Sequence, residues 1–283
     1  MKVAIIGANG QLGSELAKAF PDAILLMHAD LDVENWQAIE NFFANNKVDA
    51  VINTAAYHDT PKCEQEPLKA FSVNAIGAKN LAEQCAKTNT IFVHLSTDYV
   101  FDGMKGRPYK EIDAPNPLNW YAMSKFTGEL AIANTPANYY IIRVCGLFGQ
   151  SGCRAKGGGN FVETMLKKLA AGEEFKVTND QTVSPTYAFD AAQAIKEILE
   201  KKLPFGIYHV VNAGHCTWYD FAKEIAKQIK SKTSMLPCAS GVDGLKRPNY
   251  SALSITKLKK NGIAMRPWKA ALAHYLKNKT TQN

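Results

Sequence analysis

The chain has no uninterrupted apolar run of about 18 residues, so nothing in it reads as a membrane-spanning helix. Its cysteines are sparse and unpatterned: Cys63, Cys85, Cys145, Cys153, Cys216 and Cys238 show neither paired spacing nor the intervals of a zinc site. That argues against a disulfide scaffold and a structural zinc, and leaves reduced thiols of a cytoplasmic protein. No block of like charge and no internal repeat occurs. The 33 basic residues outnumber 26 acidic ones, giving a net charge of +7, but they are spread along the chain without an arginine-rich stripe. The surplus reads as a solvated surface suited to an acidic small ligand, not as a nucleic-acid footprint. Met1-Lys2 passes directly into an apolar segment with no signal-peptide layout, so a cytoplasmic location is expected. At 283 residues there is ample chain for one or two domains with a large core.

What is present is an alternation of strands and helices. Val3-Ala4-Ile5-Ile6 reads as a buried strand, followed by Gly7-Ala8-Asn9-Gly10-Gln11-Leu12-Gly13 and a helical pattern through Leu16 and Phe20. A glycine-rich turn between strand and helix lets the backbone approach a pyrophosphate, which then rests on the helix N-terminus. The spacing is Gly-x-x-Gly-x-x-Gly, and a plain tight turn would use the same residues. Its position straight after the first strand favours dinucleotide binding. Further strands are expected at Ala23–His28, Ala50–Asn53, Ile91–Leu95, Tyr139–Val144 and Ile207–Asn212, with helices over Val33–Asn46 and Pro67–Lys87 between them. Repeated βα units predict an α/β fold built on a doubly wound parallel sheet. Residues 1–146 would form its dinucleotide-binding part, with a return segment around 187–214. Residues 147–283 would form mainly a smaller, interleaved substrate-binding domain. Gly152–Gly159, carrying Arg154 and Lys156, reads as a polar loop; helices are expected at Asn160–Ala171, from Pro185–Tyr187 to about Lys201, at Trp218–Ile229 and at Pro267–Leu276, with a frayed tail from Asn278.

Tyr121 and Lys125 stand four apart, on one face of a helix that the Asn116-Pro117 pair is expected to start. A phenol titrates at about 10, and a cation held beside it pulls that value toward neutrality, where the group can act as acid or base. The same pair recurs at Tyr219/Lys223 and Tyr275/Lys279, so spacing alone carries little. Only the first follows a buried strand that ends in Ser96-Thr97-Asp98 and delivers a hydroxyl where open α/β sheets place their ligands. Near the second strand's end, where a cofactor with a free ribose 2′-hydroxyl usually meets an acid, stand Met27 and His28, with Asp30 and Asp32 slightly further on. This leans toward NADPH over NADH, with His28 near a 2′-phosphate. Small residues in Thr54-Ala55-Ala56-Tyr57 would let a cofactor lie against the backbone.

Gly7-x-x-Gly10-x-x-Gly13, Ser96-Thr97-Asp98-Tyr99-Val100-Phe101 and Tyr121-x-x-x-Lys125 together resemble the extended short-chain dehydrogenase/reductases, and more narrowly the dTDP-4-dehydrorhamnose reductases. The likeness extends through Asn53–Tyr57, Asn160-Phe161, Asp180-Gln181 and Gly206–His209. It implies hydride transfer from NADPH or NADH to the C4 ketone of a nucleotide-linked 6-deoxy-4-keto sugar. Tyr121 would donate the proton, Thr97 would hold the oxygen and Lys125 would act on both tyrosine and ribose. Gly7, Asn9, Gly10, Gln11, Leu12, Asp32, Ala55, Ala56 and Tyr57 would line the cofactor; Asp98, Asn160 and Arg247 would face the substrate.

Three departures stand out. Many relatives carry tryptophan where this chain has Gly146, and the loop from His58 to Glu64 differs from the usual pattern. Some relatives bind magnesium at a dimer contact through a glutamate matching Glu15 and another where Phe189 stands here, so no metal and at most a weak homodimer are expected. Two rivals remain. A nucleotide-sugar dehydratase or epimerase is one, although dehydratases place glutamate where this chain has Tyr99. A non-catalytic, reductase-like regulatory subunit is the other.

Overall fold

The computed structural model describes residues 1–152, 159–241 and 244–280. Its centre is a sheet of six parallel strands in the order β10-β5-β4-β3-β1-β2. These are β1 (Val3–Ile6), β2 (Ile24–Leu26), β3 (Ala50–Asn53), β4 (Ile91–Thr97), β5 (Tyr139–Val144) and β10 (Gly206–His209). The inner strands read as continuous apolar runs because both faces are covered. Val3 and Ile5 of β1 point into one core with Leu12, Leu16 and Ile195, while Ala4 and Ile6 point into another with Ile39, Leu81 and Phe92.

Helices α1 (Gln11–Ala19) and α8 (Ala188–Glu200) cover the first face; α2 (Trp36–Asn45) and α5 (Ala78–Lys87) cover the second. The chain runs from β1 to β2 on one side and then returns to place β3 on the other side of β1. A crevice therefore opens at the carboxyl ends of β1 and β3, the position where such sheets bind ligands.

Between β3 and α5 lie α3 (Thr60–Gln65), α4 (Pro67–Phe71) and a π-helical segment, Ser72–Gly77. The single helix expected from Pro67 to Lys87 is thus interrupted by wide turns, and α3 is unforeseen; its N-cap is Asp59, which accepts from the Lys62 backbone N–H. The second strand is shorter than expected because Asp30 accepts a bond from the Met27 backbone N–H and turns the chain before His28. Helix α2 starts after its Asn35 cap, not at Val33.

Beyond β5 the chain forms β6 (Leu147–Phe148), α7 (Phe161–Ala171), β7 (Phe175–Thr178), β8 (Thr182–Val183) and β9 (Thr186–Tyr187), then returns to the main sheet through α8 and β10. It leaves again as β11 (Cys216–Thr217), α9 (Trp218–Gln228), β12 (Met235–Cys238), α10 (Thr256–Lys260) and α11 (Trp268–Thr280). A separate core joins Phe148, Met165, Phe221, Trp268 and Tyr275 from β6, α7, α9 and α11. Asn278, expected in a frayed tail, lies within α11; residues 281–283 and the basic loop positions Arg154 and Lys156 lie outside the described residues.

Candidate active site

The glycine turn after β1 is built for close approach. Gly7 has φ +76°, and a Cβ there would stand 2.7 Å from Thr54 Oγ1 and 3.0 Å from the Ala55 nitrogen. At Gly13 a Cβ would come within 2.2 Å of the Gly7 carbonyl oxygen. Thr54 ties the neighbouring loop on, its hydroxyl donating to the carbonyls of Ile6 and Gly7 at 2.8 and 3.1 Å. Gly10 caps α1 without any side chain, so the first N–H groups of that helix are left to a ligand. Beside them Gln11 Oε1 is buried without a hydrogen-bond partner. A side-chain-free helix start and an orphaned buried oxygen fit the phosphate and amide-bearing groups of a dinucleotide.

The loop after β3 forms the opposite wall. Asn53 Oδ1 accepts from the Ala55 N–H at 3.0 Å, and Tyr57 N–H donates to Asn74 Oδ1 at 2.9 Å. Asn74, in the π segment, also donates to the Tyr57 carbonyl at 2.8 Å and to Ser124 Oγ at 2.9 Å, so the wide turns stitch this loop to the next helix. The Tyr57 hydroxyl donates to Glu66 Oε2 at 2.7 Å, a bond that pushes its pKa up to about 12. Asp32 accepts from the Glu34 N–H, and the His28 ring, 80% exposed, lies 3.9 Å from it.

Helix α6 (Trp120–Ala133) carries Tyr121 and Lys125. It starts three residues later than the Asn116-Pro117 pair suggested. Asn119 is the cap, accepting from Ala122 N–H at 2.9 Å and donating to the Lys246 carbonyl at 2.9 Å. Asn116 is instead bonded to Asp102. Lys125 is 2% exposed; its Nζ lies 2.5 Å from the Leu95 carbonyl and 3.0 Å from His94 Nε2. Burial lowers its pKa to about 8, against the opposing pull of Glu129. Tyr121 is half-buried, its ring edge-on to Tyr99 with centroids 6.0 Å apart. Thr97 is thus bracketed: the lysine is fastened two residues before it, and the tyrosine packs two residues after it.

Thr97 accepts from the Tyr99 N–H at 3.2 Å and donates to Asp98 Oδ1 at 3.1 Å. Asp98, expected to face substrate, turns inward: it is 4% exposed and receives the Cys145 thiol at 3.0 Å and a bond from Ser251. Burial raises its pKa, against the opposing hydrogen bonds from Ser251, Cys145 and Thr97. Asn160, expected to hold phosphates, caps α7, accepting from Glu163 N–H and donating to the Gly149 carbonyl. Arg247 is half-buried and close enough to Tyr99 to lower the phenol's pKa, although burial raises it more.

Sequence reasoning missed the polar layer beneath the site. Asn53 Nδ2 stands 3.3 Å from His94 Nδ1. Alongside, Glu129 takes Arg143 Nε at 2.9 Å, Arg143 Nη2 at 2.5 Å and Ser96 Oγ at 2.5 Å. The available signal was a histidine and an arginine inside otherwise apolar strands. Gly146, with φ +53°, sits under Trp218, whose Cη2 would be 3.4 Å from a Cβ there. Glu15 is buried against Lys18 and Phe189 packs on Tyr187 and His274; among the described residues no group of three or more His, Cys, Asp or Glu could hold a metal ion.

The chain is 37% identical over 286 residues to the spore coat polysaccharide biosynthesis protein SpsK of Bacillus subtilis, covering 99% of this chain and 98% of that protein. It is 34% identical to the dTDP-4-dehydrorhamnose reductase of Aggregatibacter actinomycetemcomitans, covering 96% and 97%. A crystal structure of a dTDP-4-dehydrorhamnose reductase from Bacillus anthracis in complex with NADP superposes with a TM-score of 0.92 at 34% identity, over 98% and 99% of the chains. A UDP-glucose 4-epimerase from Thermus thermophilus, at 19% identity and TM-score 0.83, shares the fold. With a family model matching residues 1–281, the chain belongs to the family described as the RmlD substrate binding domain.

Proposed function

We propose that the protein is an NADPH-dependent reductase of the C4 ketone of a nucleotide-linked 6-deoxy-4-keto sugar, converting dTDP-4-dehydro-L-rhamnose to dTDP-L-rhamnose. The observation that carries this reading is the bracketing of Thr97 by Lys125 and Tyr121 at the open end of β4. When bound, the reduced nicotinamide supplies the hydride. The glycine turn and the α1 N-terminus receive its phosphates, with Ala55, Ala56 and Tyr57 as the opposite wall. The family relatives include reductases of that name and one bound to NADP, which supports the cofactor class and reaction.

The protein's own groups then manage the oxygen and its proton. Thr97 Oγ1, which donates to Asp98 in the free protein, turns that bond to the ketone oxygen. Tyr121 gives its phenolic proton to the developing alkoxide, worth about 10²–10⁴-fold. Charge on the oxygen is stabilised by donors already in place. Arg247 would meet a sugar-nucleotide phosphate with its guanidinium fork. Tyr99 argues against dehydration: burial raises its pKa, so the position where a dehydratase needs an acid holds a phenol reluctant to ionise.

The test is absorbance of reduced nicotinamide with purified protein, NADPH or NADH, and a panel of dTDP- and UDP-linked 4-keto sugars. Stoichiometric oxidation with the dTDP-linked 6-deoxy sugar is expected. Oxidation with none of them would overturn the assignment, and tightly held, recycled NAD with no net consumption would favour an epimerase.

A further inference from the structure

The polar layer behind Lys125 has a direction, and the direction fixes protonation states. Ala55 N–H donates to Asn53 Oδ1 over 3.0 Å, which identifies the amide atom facing His94 as Nδ2. An amide nitrogen of this kind only donates, so His94 Nδ1, 3.3 Å away, accepts and carries no hydrogen. His94 is fully buried, and burial drives its pKa well below the usual imidazole range, so the ring is neutral with its hydrogen on Nε2. That N–H is aimed at Lys125 Nζ, 3.0 Å away. An ammonium has three donors and no lone pair to receive it; a neutral amine has one. The last contact, from Nζ to the Leu95 carbonyl, suits either form. Each link from Ala55 through Asn53, His94 and Lys125 to Leu95 is therefore satisfied only when the lysine is uncharged.

We propose that His94 is a positioning residue that holds Lys125 as the neutral amine in the cofactor-free protein, and that binding of the reduced dinucleotide draws a proton from solvent onto Lys125 as Nζ turns from His94 toward the ribose hydroxyls. This rests on the reading of the site given above and adds a protonation step to it. Burial already pulls Lys125 down to about 8, in the same direction as the hydrogen-bond polarity. Glu129 on α6 favours the cation but is spent on Arg143 of β5 and Ser96 of β4. Tyr121 lies one turn away on the same helix. Ketone reduction consumes a proton for each hydride, and this uptake brings it in with the cofactor and not with the sugar.

Asn53→Asp reverses the layer at nearly constant shape: a carboxylate accepts from both Ala55 N–H and a His94 Nδ1–H, which leaves Nε2 to accept from an ammonium. Calorimetric titration with NADPH in buffers of different ionisation enthalpy counts the protons taken up. At about pH 8.5, above the range of phosphates and exposed histidines, the natural protein should take up most of one proton. Its affinity should weaken about tenfold per further pH unit. Asn53→Asp should take up almost none, with a flat profile. Equal proton counts in the two proteins would overturn the proposal. A second readout needs no cofactor: nitrogen-15 spectra of the free protein should show His94 as the Nε2–H tautomer, and finding Nδ1–H there would also overturn it. Proton uptake without turnover of any keto sugar would instead sink the functional reading and leave this one standing.

Discussion

Tyr121 meets Tyr99 edge to face, with ring centroids 6.0 Å apart. The packing belongs to the ring and the chemistry to its hydroxyl, so the two can be separated. Tyr121→Phe should keep the edge-to-face contact and bind NADPH within a few-fold of the natural protein. Turnover should fall roughly 10²–10⁴-fold. Stopped-flow rates alongside cofactor titration check this, and natural-like turnover removes Tyr121 from the reaction.

The ion pair of Glu129 and Arg143 is almost wholly buried, at 3% and 2% side-chain exposure. Removing one partner leaves the other charge stranded. Glu129→Leu should therefore cost about 3–5 kcal/mol of stability, read as a lower urea midpoint. Loss of less than about 1 kcal/mol would mean that Arg143 finds water or another acceptor.

Gly13 is helical, and alanine there would ordinarily favour the helix by about 1 kcal/mol. Here its Cβ would stand 2.2 Å from the Gly7 carbonyl oxygen. Gly13→Ala should open the turn and weaken NADPH binding at least about tenfold, or about 1.4 kcal/mol. Unchanged affinity would place the dinucleotide elsewhere.

His209 is fully buried on β10, and burial lowers its pKa to about 3, helped by the Arg143 charge. The unfolded chain binds a proton at about 6.5. The folded pKa is the depressed one, so the stability it contributes is present above about pH 6.5 and is lost as pH falls toward about 3. His94 acts in the same direction. His209→Phe should flatten part of this acid limb, as denaturation midpoints between about pH 7 and about pH 4 will show. An unaltered slope would assign the limb to His94 and the carboxylates.

What was legible in the sequence was local. The glycine turn, the hydroxyl at the end of a buried strand and a tyrosine four residues before a lysine all state their geometry through spacing. Where Lys125 points was not legible, because His94 and Asn53 come from strands distant in sequence and meet it only after the sheet forms. A histidine in an apolar run looks like filler until its neighbours are known. The structural duty of Asn160 was hidden in the same way: the family resemblance implies a phosphate contact, while the fold has its amide oxygen cap α7 and its amide nitrogen reach the Gly149 carbonyl after β6. β12 was missed because Pro237 interrupts it; it pairs with β7 in a two-stranded ribbon, where a proline is tolerated. Trp218 reaches Gly146 across the fold, a relationship that no local pattern records.

The return of α8 and β10 to the central sheet makes the two halves of the molecule one mechanical object. A polypeptide halted at Gly146 would leave β5 an open edge and strip α1 and Leu16 of the alanine-rich helix that shields them. Such a fragment should aggregate and not persist as a free-standing nucleotide binder. Heating the intact protein should give one sharp melting event, because neither lobe can come apart without tearing strands from the other.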